Sequence, residues 1–222
     1  MLRSTAATDA IDALKQLGTR KGRDGMARYG LPSDKAFGVS VKDIQALAKR
    51  LGKDHRLAAA LWTSGWHEAR MLACYVDEPA RVTSTQMDAW VRDFDNWGIC
   101  DTVCFVLFDK TPHAWKKVEV WSKRREEYVK RAAFALLWGL TVHDKEAEDA
   151  RFLRGLELIE VAATDERHYV KKAVNMALRA TGKRNASLRA AALASARKLA
   201  LLTSEPARWT GRDALRELSK RA

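Results

Sequence analysis

Trp97 and Asp101 stand four residues apart in the stretch Phe94-Asp95-Asn96-Trp97-Gly98-Ile99-Cys100-Asp101. On a helix that spacing puts both side chains on one face, one turn apart. The surrounding helix is otherwise apolar, with Ile99, Val103, Phe105, Val106 and Leu107. A carboxylate buried there without a partner would be costly, so Asp101 must meet a cation or face water. The negative face of an indole also attracts cations. The pair therefore predicts a site for a positively charged group. The plainer alternative is a structural bridge from Asp101 to Arg70 or Arg131.

Other residues that could do chemistry lack their partners. His67-Glu68 opens like the helix of a zinc protease, but position 71 is Met where the second histidine is needed. Cys100 and Cys104 have metal-ligand spacing without a second pair, which predicts buried, inert thiols. No Walker-type or dinucleotide-type glycine loop is found, and no Ser-His-Asp arrangement can be placed. The chain is expected to need neither metal nor cofactor. Three cysteines suit a reducing compartment. No apolar run approaches the ~20 residues of a membrane span, and the first residues lack a signal-peptide core. The expectation is a cytoplasmic protein, associated with the nucleoid and away from membranes.

Charge narrows the partner class. The formal net charge is +12, and it is uneven. Residues 167–222 hold 14 basic and 3 acidic side chains, a net of +11, whereas residues 78–109 hold 2 basic and 6 acidic ones, a net of −4. A basic C-terminal third is the footprint expected of a polyanion-binding surface, although solvated helix faces also carry such charge.

The elements that must position these residues read almost entirely as helices, because Ala, Leu, Arg, Lys and Glu dominate and alternating β-branched runs are missing. The first helix is expected over 9–18, with a turn at 28–32. Ser40 and Asp43 form a capping box ahead of the Val41, Ile44, Leu47 and Ala48 stripe, and Gly52 ends that helix. Helices follow over 55–62, 67–76, 83–94 and 97–108. Thr111-Pro112 reads as a cap followed by proline at the first helical position. Further helices are expected over 112–123, 125–140, 147–163, 165–182, 186–202 and 205–220. Trp62, Trp90, Trp115, Trp121 and Trp138 are expected in the core. The whole chain, 1–222, reads as a single repeat domain, with residues 1–20 less ordered.

The helices pair with a period. Tyr128-Val129-Lys130-Arg131 realigns on Tyr169-Val170-Lys171-Lys172 at a shift of 41, and that segment on Trp209-Thr210-Gly211-Arg212 at a shift of 40. Arg70 precedes Asp101 by 31 residues, and Asp101 precedes Arg131 by 30. Helix-pair units of about 40 residues predict an all-α, HEAT-like solenoid. Its second helices would set Arg70, Asp101, Arg131, Lys172 and Arg212 along one concave groove, basic except at Asp101.

Several separated segments then carry a family resemblance: Gly38-Val39-Ser40-Val41, His67-Glu68-Ala69-Arg70, Asn96-Trp97-Gly98-Ile99-Cys100-Asp101 and Asp109-Lys110-Thr111-Pro112. Val129-Lys130-Arg131-Ala132 and the run Val170 to Arg179 complete the set. In this order they resemble the AlkD-like HEAT-repeat DNA glycosylases of the DNA alkylation repair family. The resemblance implies excision of N3- or N7-alkylated purines from duplex DNA by a monomer, with Asp101 catalytic, Trp97 at the site and Arg131 on the DNA backbone. A second site tryptophan expected in the 170–179 segment is Met176 here, a lesion contact that is apolar but has no π face. Lys172 and Arg212 are the expected phosphate contacts and Arg70 a weaker one. Lys130, Lys171, Arg179 and the loop pair Lys183-Arg184 complete the basic set. The competing readings are a non-catalytic DNA-binding member of the same scaffold, for which Met176 speaks, and a protein-interaction solenoid.

Overall fold

Side-chain caps at Thr19, Ser40, Asp54, Thr83, Asn96 and Asn185 set where six of the helices begin. The computed structural model describes residues 2–221, with side chains described over residues 5–220, and among them there are thirteen α-helices and no strand. The residues group into two compact units, Met1–Thr111 and Pro112–Ala222.

The N-terminal unit holds α1 (Leu2–Leu17), α2 (Arg20–Ala27), α3 (Val41–Leu51), α4 (His55–Thr63), α5 (His67–Val76), α6 (Ser84–Arg92) and α7 (Trp97–Val106). The Ser40 hydroxyl accepts from the Asp43 N–H at 3.2 Å, as its capping signal predicts, and Thr83 caps α6 in the same way, accepting from the Gln86 N–H at 3.1 Å. Gly52 ends α3 with φ 74°, a left-handed conformation that favours glycine. Two helices depart from expectation. α1 starts at Leu2 rather than at residue 9; of its described side chains only Ala10 and Leu14 are buried, and none over residues 5–9. α2 was not expected at all. It contains Gly22 and Gly25 and buries no residue, so no periodic pattern marks it. Gly22 is needed there, because a Cβ would meet the Gly38 carbonyl oxygen at 2.1 Å. The core of this unit is aromatic: Trp62 and Trp90 stack at 4.0 Å, with Phe94 and Phe108 alongside. Within it α5 packs against α3, α4 and α7.

Thr111 does not cap the next helix. Its hydroxyl donates to the Phe108 carbonyl at 2.8 Å and closes a short 3-10 turn, Phe108–Lys110. The helix begins later, behind His113.

The C-terminal unit holds α8 (Ala114–Trp121), α9 (Glu127–His143), α10 (Asp149–Ala162), α11 (His168–Gly182), α12 (Ala186–Ala200) and α13 (Glu205–Leu218). α9 packs on α11 and α11 on α13, which makes one layer; α10 packs on α12 in the other. The approach of α12 to α13 is close enough to require Gly211, where a Cβ would meet the Ala196 carbonyl oxygen at 2.5 Å. Buried Trp121, Phe134 and Phe152 anchor this core. Of the five tryptophans expected inside, Trp62, Trp90 and Trp121 are buried, whereas Trp115 and Trp138 are only half-buried.

The repeat period needs one correction. α9 and α11 begin 41 residues apart, as the sequence shift has it, but α11 and α13 begin 37 apart. The connections around α12 are shorter than those around α10, seven residues in all against ten. Arg131 and Lys172 are thus both fifth in their helices, and the fifth residue of α13 is Trp209, not Arg212. Arg212 lies nearly one turn further along.

Candidate functional site

The start of α7 is built by its own sequence. Asn96, 2% exposed, is the cap, its side-chain oxygen accepting from the Ile99 N–H at 3.0 Å. Its amide group donates back to Asp95 at 2.6 Å. Trp97 is the first helical residue, and its indole N–H donates to the Tyr29 carbonyl at 2.8 Å. Gly98 admits the neighbouring turn, since a Cβ there would meet the Leu31 side chain at 3.1 Å. Asn-Trp-Gly is therefore a clamp between α7 and the turn at 28–32. Asp101 follows one turn after Trp97, half-buried, and is the only charged residue in the helix.

Most other motif residues hold the backbone. Glu68, 1% exposed, accepts N–H groups from Phe37, Gly38 and Val39 at 2.9, 2.7 and 3.2 Å. This ties the Gly38-Val39-Ser40 segment to α5, with Gly38 at φ 79°. Lys110 donates to the Val106 carbonyl at 2.7 Å and closes the end of α7. Burial pushes the His67 imidazole below its ordinary pKa, against the pull of Glu68 and Asp95, so it is neutral at pH 7. Burial likewise raises the Cys104 thiol well above its usual range, which makes it inert. Among the described residues no three His, Cys, Asp or Glu side chains converge as a metal set would.

The basic candidates divide by what they touch. Arg70, fourth in α5, donates to the Asp93 carbonyl at 3.0 Å, lies 3.8 Å from its carboxylate and sits over Trp62 at 5.2 Å. Arg131 is 3% exposed, donates to the Tyr169 carbonyl at 2.7 Å and lies 6.0 Å from its ring centroid. Lys130 pairs with Asp165 at 3.2 Å. Burial alone would raise the Asp165 carboxyl, but hydrogen bonds from Arg167 and Lys130 outweigh it and hold the group at about 2.

Lys171 lies over Trp209 at 5.1 Å and 3.9 Å from Glu205. Arg179 and Lys183 both pair with Glu217, and those contacts lower its carboxyl, the Lys183 hydrogen bond most. Arg184 is a staple rather than a presented cation. Its guanidinium donates to the carbonyls of Thr141, Lys145 and Ala147 at 3.1, 2.9 and 3.1 Å and covers Phe152 at 4.3 Å. That geometry holds the 144–148 connection and leaves little of the group for a phosphate. Lys172 and Arg212 differ from all of these. Both are exposed, no carboxylate of the described residues pairs with them, and Lys172 lies 4.7 Å over Trp209. Met176 is half-buried, one turn beyond Lys172 on α11.

Comparison with known proteins gives a family and a fold. The profile of the family described as "DNA alkylation repair enzyme" matches residues 10–218. The chain belongs to this family. No curated protein matches it in sequence. A solved structure described as "a new family of proteins related to the HEAT-like repeat DNA glycosylases with affinity for branched DNA structures" superposes with a TM-score of 0.81. It is 17% identical and covers 96% of this chain and 94% of its own. That likeness gives the fold: an all-α, HEAT-like array of helical repeats.

Tyr29 is a site residue that sequence reasoning missed. It is 69% exposed, and its carbonyl holds the Trp97 indole. Nothing in the spacing of a tyrosine 68 residues upstream could signal that meeting. No helix of the described residues is long and apolar enough to cross a membrane.

Proposed function

We propose that the protein binds duplex DNA and hydrolyses the N-glycosidic bond of cationic N3- or N7-alkylpurines. One observation carries the reading: Asp101 is a half-buried carboxylate, without another charge on its helix, one turn from a tryptophan whose ring is fixed at its N–H. Alkylation at N3 or N7 makes the purine a positively charged leaving group, so no general acid is needed, unlike ordinary glycoside hydrolysis. The C1′–N bond breaks with its electron pair going to the base, which departs neutral. Asp101 stabilises the developing oxocarbenium ion and takes the proton of the water that adds to C1′, leaving an abasic sugar. The Trp97 ring face contributes roughly 0.5–2 kcal/mol toward the cationic nucleotide. Lys172 and Arg212 hold phosphates and set register without reading sequence. The protein acts as a monomer and without a cofactor.

The test is release of methylated base from methylated duplex DNA. Asp101→Asn is expected to lower release about 10³-fold while DNA affinity stays unchanged. A second reading is DNA binding without excision. It is favoured by Met176, which offers no π face to a base, and by the branched-DNA affinity described for the similar structure. Salt-sensitive binding with no base release from the native protein would establish it in place of the first.

A further inference from the structure

In the C-terminal unit, residues 131–140 of α9 are buried with one exception, Trp138. Trp138 lines a pocket of about 700 Å³, the size of a small-ligand site, together with Met176. Its wall also carries four cations, Lys145, Arg179, Lys183 and Arg184, between neutral residues such as Thr141 and Asn185. Glu217 holds Arg179 and Lys183 in place, and Arg184 is fixed on three carbonyls. Lys145, exposed at the rim, pairs with no carboxylate of the described residues. The Arg179 Nε is buried and has no hydrogen-bond partner.

The pocket sets an aromatic ring and a thioether beside fixed cations. They suit a ligand with a flat π surface at one end and a phosphate at the other. We infer that this pocket takes one unpaired nucleotide of a DNA strand, its base against Trp138 and Met176 and its phosphate toward Lys145. Base-on-aromatic stacking tolerates any base, so the pocket recognises the unpaired state rather than the sequence. A fully paired duplex keeps its bases stacked inside and offers the pocket only phosphate. The inference rests on the DNA-binding half of the proposed function and is independent of excision.

The experiment compares three labelled duplexes by fluorescence anisotropy with the full chain: one fully paired, one carrying a single unpaired nucleotide, and one with an abasic analogue at that position. The native protein is expected to prefer the unpaired nucleotide about tenfold, and to lose that preference when the base is missing. Lys145→Glu is expected to abolish the preference while paired-duplex affinity changes less than about threefold. A 5-iodouracil at the unpaired position is expected to photocrosslink to Trp138. Equal affinity for all three duplexes, a Lys145→Glu loss equal on all of them, or a crosslink elsewhere overturns the inference and leaves DNA binding standing. Failure to bind any duplex overturns both.

Discussion

α9 and α11 carry a basic residue at the same position and treat it oppositely. Arg131 is 3% exposed, with its guanidinium on the Tyr169 carbonyl, whereas Lys172 is exposed over Trp209. The difference lies in the next helix of the array. Arg131 finds Tyr169, whose ring and carbonyl bury it; Lys172 finds an indole that supports the ammonium from one side and leaves the rest to water. A recurring charge in a repeat protein therefore marks which face a position lies on. It does not say whether the charge is available to a ligand.

Substitution at these sites sharpens the contrast. Arg131→Ala should cost about 3 kcal/mol of folding stability, because it empties a buried site and strips the Tyr169 carbonyl. Thermal or urea unfolding reads this. Weaker DNA binding with unchanged stability would break the comparison by making Arg131 a direct phosphate contact. Lys172→Ala and Arg212→Ala should instead leave stability within about 0.5 kcal/mol. Each should weaken duplex affinity and reduce the slope of log affinity against log salt by about one, as loss of one phosphate contact does.

The smallest effect concerns Lys130, beside Arg131. Its partner Asp165 has a carboxyl held at about 2, below the ordinary carboxylate value of about 3.9. The folded-state pKa is depressed, by Arg167 more than by Lys130, so the contacts of Asp165 stabilise the fold above about pH 4 and their contribution disappears as pH falls toward 2. Asp165→Asn should lower stability by about 1 kcal/mol at pH 7, since water screens part of the pair, and should remove that component of acid sensitivity. A variant as stable as the native protein at pH 7 and identical to it at pH 3 would mean that Asp165 contributes nothing.

The N-terminal unit extends the lesson. Of the residues that carry the family resemblance there, Glu68, Asn96, Gly98 and Lys110 hold backbone or admit a neighbour. Trp97 also holds backbone, through its N–H on the Tyr29 carbonyl, while the proposed chemistry gives it a second role beside Asp101. Motif residues are thus legible as a set in sequence, but their division between scaffold and chemistry is not.

Composition, caps and periodicity determined the helices, because they act within a few residues: Ser40, Thr83 and Gly52 mark their ends as their chemistry requires. The spacing of Trp97 and Asp101 fixed them one turn apart on one helix for the same reason. Three things needed the tertiary structure. The α2 helix packs through Gly22, whose meaning depends on the Gly38 carbonyl. The register of α13 depends on the summed lengths of helices and connections, which no single motif encodes. The burial of Arg131 and the exposure of Lys172 depend on which side chain the next helix supplies, and that contact spans about forty residues of chain.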